Sequence, residues 1–131
     1  MAERKVYPGI NIQWPYSEMI LSGKKTIETR TYPIPRKYLG EEMVLIETPG
    51  KQGKFKAQMK GVIVFKECFE YLSEDEFYAD SGKHYVTPES DWAWTSTKTK
   101  WGWTVKVLRI FPKATELSGR RGIKYCQRIC V

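Results

Sequence analysis

The chain carries a single histidine, His84, and three cysteines, Cys68, Cys126 and Cys130. One imidazole rules out a two-histidine acid–base mechanism within one chain. Cys126 and Cys130 have no second ligand pair, so no zinc site is expected, and nothing in the sequence calls for a metal or other cofactor. An odd cysteine count suits a reducing compartment, and Cys68, inside a strand-like segment, is expected as a buried thiol. No run approaches the roughly 18 apolar residues of a membrane span. Met1 to Val6 lacks the apolar core of a signal peptide. A cytoplasmic protein with no membrane partner is therefore expected. Repeats, linkers and low-complexity tracts are absent too, and 131 residues make one domain, 1–131.

Acid is scarce in the last third. Residues 98–131 hold nine Lys and Arg against one acid, Glu116, while residues 1–97 balance at −1. The whole net charge of +7 thus sits at one end of the sequence, and a local positive field attracts phosphate. Arg120, Arg121, Lys124 and Arg128 are the residues expected to track a nucleic-acid backbone, giving affinity and salt dependence without sequence readout. The bland alternative is a solvated end of the chain.

Aromatic residues are plentiful, with five Trp, eight Tyr and five Phe. They serve as core fillers first and base-stacking platforms second. Trp14, Tyr32, Trp92, Trp94 and Trp101 fall beside loops, and Trp14 and Tyr16 are the preferred stacking candidates. Hydrophobic patterning predicts strands over 9–13, 26–32, 43–48, 57–69 and 101–111. A short helix is predicted over 17–22, stopped by Gly23. A second helix starts at Ser73, with Glu74, Asp75 and Glu76 in its first turn, and closes at Ser81-Gly82. Residues 83–100 read as loop, with His84 a hydrogen-bonded loop residue. Five or six strands with two or three short helices make an α+β fold, a compact mixed barrel rather than a parallel βαβ sheet.

The densest motif is Gly23-Lys24-Lys25-Thr26-Ile27-Glu28-Thr29-Arg30. On a strand, Thr26, Glu28 and Arg30 share one face, and Lys25, Ile27 and Thr29 the other. Lys25 offers a compact cation and Arg30 a planar fork for phosphate or a base edge. Glu28 is suited to accept from an exocyclic amine or to act as a base. The alternative is an internal ion pair of Glu28 with Arg30. The spacing Gly-x-Lys-x-x-Glu-x-Arg resembles the signature of the ASCH domain family, within the PUA-like β-barrels. Gln13-Trp14-Pro15-Tyr16, Trp101-Gly102-Trp103 and Gly119-Arg120-Arg121-Gly122-Ile123 resemble further family segments in the same order.

The resemblance implies a PUA-like mixed barrel that binds RNA or a plain or modified nucleoside or nucleotide. The implied pocket is lined by Trp14, Tyr16, Lys25, Thr26, Glu28, Arg30 and Tyr32. It also implies two hydrolytic alternatives with Lys25 and Glu28 as catalytic groups. One is an amidohydrolase on N4-acylated cytidine, although that branch has threonine where this chain has Glu28. Thr26 or Thr29 would then have to substitute, with an acid from Glu74, Asp75 or Glu76. The other is a ribonuclease on single-stranded RNA, with Tyr32 or His84 moving protons. A protein-interaction domain is the remaining alternative.

Overall fold

The computed structural model describes residues 6–50, 55–116 and 125–130. Arg120, Arg121 and Lys124, expected on a nucleic-acid backbone, lie outside them. The elements run β1 (Val6–Gln13), α1 (Tyr16–Leu21), β2 (Ile27–Arg30), β3 (Glu42–Thr48), β4 (Gln58–Tyr71), α2 (Glu74–Ala79), α3 (Ser81–His84), β5 (Lys100–Glu116) and β6 (Tyr125–Cys130). A single 3-10 turn, Arg36–Tyr38, precedes β3.

All six strands form one mixed sheet in the order β2-β5-β4-β3-β1-β6. Only β1 and β3 run parallel; the other ladders are antiparallel. Between β4 and β5 the register shifts at Met59/Gly61, Val62/Ile63 and Phe65/Glu67. Each such bulge bends and twists the strand that carries it, and together they curl the sheet into a half-barrel. This is the α+β mixed architecture expected from the sequence, with edge strands β2 and β6 in place of full closure.

Inside the curl lie Ile10, Ile12, Ile20, Met43, Leu45, Ile63, Phe65 and Trp103, all buried. The opposite face of the same strands carries Tyr7, Val44, Ile46, Met59 and Val62, also buried. That explains the near-continuous apolar runs Met43–Ile46 and Val62–Phe65: these strands are covered on both faces. Trp103 sits at the centre, meeting Tyr32 and Phe65 edge-on at 5.7 and 5.2 Å. Its indole Nε1 donates to the Tyr32 carbonyl over 3.3 Å.

The helices follow local chemistry. Ser73 caps α2 by accepting from the Glu76 amide at 3.1 Å, while the Glu76 carboxylate accepts from the Leu72 amide. Ser81-Gly82 does not end this helical region, as the sequence suggests, because Ser81 opens α3 and its hydroxyl binds the Tyr78 carbonyl at 2.7 Å. Among the described residues no helix is long and apolar enough to cross a membrane. Cys68 is half-buried rather than fully buried, and its thiol accepts from the Ile34 amide at 3.4 Å.

Candidate ligand site at the seam of the half-barrel

Curling brings β2, at one end of the sheet, against β1, near the other. These strands do not pair. A cavity of about 210 Å³ opens between them, walled by Asn11, Ile12 and Gln13 on β1 and Glu28, Thr29 and Arg30 on β2. Tyr16, Lys25, Thr48, Val86 and Trp92 complete it.

Lys25 reaches the cavity because of the turn that precedes it. Gly23 takes a φ of +83°, where an L side chain is strained, and the chain doubles back so that the Lys25 amide donates to the Met19 carbonyl at 2.9 Å. The Lys25 ammonium is buried, 1% exposed, and donates to the His84 carbonyl. Its nitrogen lies 3.6 Å from Glu28 Oε1 and 5.1 Å from the Tyr16 ring centre. Burial lowers the Lys25 pKa, while the Glu28 carboxylate pulls the other way.

Glu28 bridges the two cations, its Oε2 lying 2.9 Å from Arg30 Nη2. That same nitrogen donates to the Asn11 carbonyl at 2.9 Å, and Nη1 meets the Tyr32 hydroxyl at 3.3 Å. Burial opposes the Arg30 charge, but Glu28 and Tyr32 outweigh it and raise its pKa. Glu28 and Arg30 thus form the internal ion pair of the alternative reading, and the pair stands in the cavity wall. Much of the Arg30 fork is already committed to protein acceptors.

Face alternation does not sort the motif as the sequence implies. Regular strand begins only at Ile27, so Lys25 lies on the preceding turn and meets Glu28 at i,i+3. Thr26 is exposed and Trp14 and Tyr32 are half-buried; none of the three lines the cavity, whereas Thr29 does. Tyr32 packs on Trp103. Of the two preferred stacking aromatics only Tyr16 faces the cavity, and its partner in the lining is Trp92.

Trp92 arrives from the 85–99 connection, which folds back over the seam. Lys100, itself buried, donates to the Trp92 carbonyl at 2.8 Å, and burial lowers its pKa, with Lys98 adding to the effect. The Tyr16 phenol, which hydrogen-bonds Ser90, has its pKa raised mainly by burial. Trp94 instead packs 5.7 Å from Phe77, and Trp101 packs against the barrel core.

His84 is fully buried, stacked on Phe77 at 4.4 Å. Nδ1 accepts from the Val86 amide at 2.9 Å and Nε2 faces the Phe77 carbonyl at 2.6 Å. This pattern requires the neutral Nε2–H tautomer. Burial depresses its pKa against the opposing hydrogen bond to the Phe77 carbonyl, with Lys25 and Lys100 adding to the burial and Asp80 opposing it. A proton carrier at His84 or Tyr32, as a ribonuclease would need, is not found in the cavity lining. Nor does the lining include Glu74, Asp75 or Glu76. Among the described residues no group of His, Cys, Asp and Glu is arranged to hold a metal.

Comparison with solved structures locates this architecture. A crystal structure of a serine-to-alanine mutant of the ASCH protein from Zymomonas mobilis superposes with a TM-score of 0.58 at 15% identity, covering 79% of this chain and 72% of that one. A tyrosine-to-phenylalanine mutant gives 0.57 at 14% identity, covering 84% and 88%. The structure of that ASCH protein without a stated mutation gives 0.56 at 17%, covering 76% and 66%. The chain has an ASCH-like fold. No protein-family model matches the sequence, and neither does any curated protein. Within this ASCH-like fold the Lys25–Glu28–Arg30 motif occupies the seam. Asn11, Thr48, Val86 and Lys100 were not singled out from sequence, and Gln13 only as part of the Gln13-Trp14-Pro15-Tyr16 segment; the alternation of Asn11 and Gln13 with Ile10 and Ile12 is the signal that could have pointed to a second wall.

Proposed function

We propose that the protein binds one nucleobase or nucleoside, plain or modified, in the cavity at the seam. The observation that carries this reading is that two aromatic side chains, Tyr16 and Trp92, share one small cavity with the Lys25–Glu28–Arg30 chain. Aromatic faces stack bases, worth roughly 1–3 kcal/mol per base, and a few fixed polar groups orient the ring. A volume of about 210 Å³ falls below the usual small-molecule range of roughly 300–1,000 Å³, which favours one nucleoside over a stretch of strand. RNA would engage through one such base, with Arg120, Arg121 and Lys124 on its phosphates.

A second reading is favoured by one feature: a lysine with a lowered pKa beside a carboxylate on the cavity wall. This suits hydrolysis of the acyl amide of an N4-acylated cytidine. Glu28 would take a proton from water as its oxygen adds to the acyl carbon. The C–N bond would then break, with Lys25 protonating the departing cytidine amine.

Both readings are tested by incubating the protein with nucleosides, including N4-acetylcytidine, while following tryptophan fluorescence and chromatographic products. Quenching without product, lost in Lys25→Ala, is the outcome expected of a binder. Release of acetate and cytidine, lost in Lys25→Ala and in Glu28→Gln, identifies the hydrolase. Neither signal with any nucleoside would remove the reading.

A further inference from the structure

The cavity is bounded by two strand edges, and the parity of their ladders fixes which main-chain groups face it. In an antiparallel ladder alternate residues turn their N–H and C=O toward the partner strand, and the residues between turn theirs away. On β2 the Val105 amide donates to the Thr26 carbonyl at 2.9 Å, with Ile27 opposite Thr104 and Thr29 opposite Gly102. Glu28 and Arg30 therefore face β5, and the Thr29 N–H and C=O point out of the sheet into the seam. This explains why Thr29 lines the cavity although alternation of side chains places it on the face opposite Glu28.

The same parity holds across the gap. The Trp14 amide donates to the Thr48 carbonyl on β3, so Ile12 also faces β3 while Asn11 and Gln13 face outward. Among the described residues the β6 ladder reaches along β1 as far as Ile10. Arg30 takes the Asn11 carbonyl, and no described residue takes the edge groups of Thr29. The charged groups are already engaged: Lys25 with the His84 carbonyl and Glu28, Arg30 with Asn11, Glu28 and Tyr32.

We infer that the Thr29 main chain is the specificity element of the cavity, reading a planar donor–acceptor edge of a neutral base. This rests on the reading of the cavity as a nucleoside site. The Thr29 N–H donates to a ring carbonyl or ring nitrogen, and its C=O accepts from the adjacent ring or exocyclic N–H. Gln13, on the facing edge, supplies a second amide to the same ligand. Watson–Crick edges present such adjacent donors and acceptors, whereas a phosphate presents acceptors only and would leave the Thr29 carbonyl unpaired. The preferred ligand is accordingly a base with its Watson–Crick edge free.

The test uses uridine, cytidine, adenosine and guanosine with counterparts methylated on the Watson–Crick edge. Binding is followed by tryptophan fluorescence and by amide NMR of the full chain. A backbone ester at Thr29 replaces its N–H by oxygen, and an ester at Glu28 serves as control. The Glu28 ester removes a ladder bond and lowers stability; the Thr29 ester removes none and only weakens the Glu28 carbonyl as a ladder acceptor, so its loss of stability should be the smaller of the two. The expected result is a downfield shift of the Thr29 amide on saturation. Edge methylation and the Thr29 ester should each weaken binding roughly tenfold, the worth of one well-made hydrogen bond. Equal affinity for methylated nucleosides with an unmoved Thr29 amide would overturn this inference while leaving the cavity as a nucleoside site. Absence of nucleoside binding would defeat the underlying reading instead. A strand-forming peptide that shifts the Thr29 amide where nucleosides do not would also overturn it.

Discussion

Arg30 Nη2 lies 2.9 Å from the main-chain oxygen of Asn11, joining two strands that stand near opposite ends of the sheet. Among the described residues no backbone ladder closes this seam; a guanidinium does. Glu28 holds the guanidinium in place from β2, and the cavity exists because the strands are bridged by one side chain instead of zipped together. Replacing Arg30 by Met should remove the bridge to β1 and leave one oxygen of Glu28 without its cation, at a cost of about 1–3 kcal/mol for an unsatisfied polar group near the interior. Lysine should recover the Glu28 contact but not the bridge, since a point cation cannot reproduce the fork. Urea midpoints for the three proteins check this. A midpoint of Arg30→Met equal to wild type would show that the seam does not depend on the bridge.

The Lys100 ammonium is tied to Trp92, which lines the same cavity. Its one hydrogen bond among the described residues goes to the Trp92 carbonyl, and no salt bridge to a carboxylate accompanies it. Changing Lys100 to Met keeps most of the stem in place. It loses a charged hydrogen bond but also the desolvation of a buried charge, so stability should move by no more than about 1 kcal/mol. The tether to Trp92 is nevertheless gone. Hydrogen exchange at residues 92–94 should accelerate, and nucleosides should dissociate faster. Simple destabilisation lowers only the fraction of competent molecules, so an unchanged dissociation rate would show that Lys100 does not position the loop.

The parts of this architecture legible in sequence were those written in local pattern. The strands, the Ser73 cap and the Gly23 turn follow from periodicity and capping chemistry, and the motif Lys25–Glu28–Arg30 pointed to the seam. Trp92 and Lys100 were not legible as a pair because their meeting depends on how the 85–99 connection folds back. Thr29 was hidden differently: its side chain is ordinary, and the groups that face the cavity belong to the main chain. Trp14, Thr26 and Tyr32 were assigned by adjacency to the motif, but the turn before β2 and the packing on Trp103 carry them away from the cavity.

His84 makes folding sensitive to mild acid. Its ring is neutral in the folded protein, with a pKa below the ordinary 6.5 because burial, aided by Lys25 and Lys100, outweighs the hydrogen bond to the Phe77 carbonyl and the Asp80 charge. Above pH 6.5 the folded and unfolded chains are both neutral there, and the histidine adds no pH dependence. As pH falls through 6.5 the unfolded chain takes up a proton that the folded chain refuses. Stability should then fall by up to about 1.4 kcal/mol per pH unit until the folded pKa is reached. His84→Gln should be less stable at neutral pH but lack this component as pH falls below 6.5. Parallel profiles of unfolding free energy for the two proteins would refute the assignment.

Gly50 controls the β1 wall from the end of β3. Its φ is +66°, and a Cβ built there would lie 2.6 Å from the Gln13 side chain. Left-handed backbone costs a non-glycine residue roughly 1–2 kcal/mol, and the clash adds to it unless Gln13 swings away. Gln13, the flexible partner in this contact, is the group that yields, and it lines the cavity. Gly50→Ala should therefore lower stability by about 1–2 kcal/mol and also weaken nucleoside binding. Gln13→Ala removes the clash, so the double variant Gln13→Ala/Gly50→Ala should retain only the backbone strain. Denaturation of the four proteins gives the coupling between the two positions. Strictly additive losses would mean that Gly50 is needed for its backbone alone and does not set the position of Gln13.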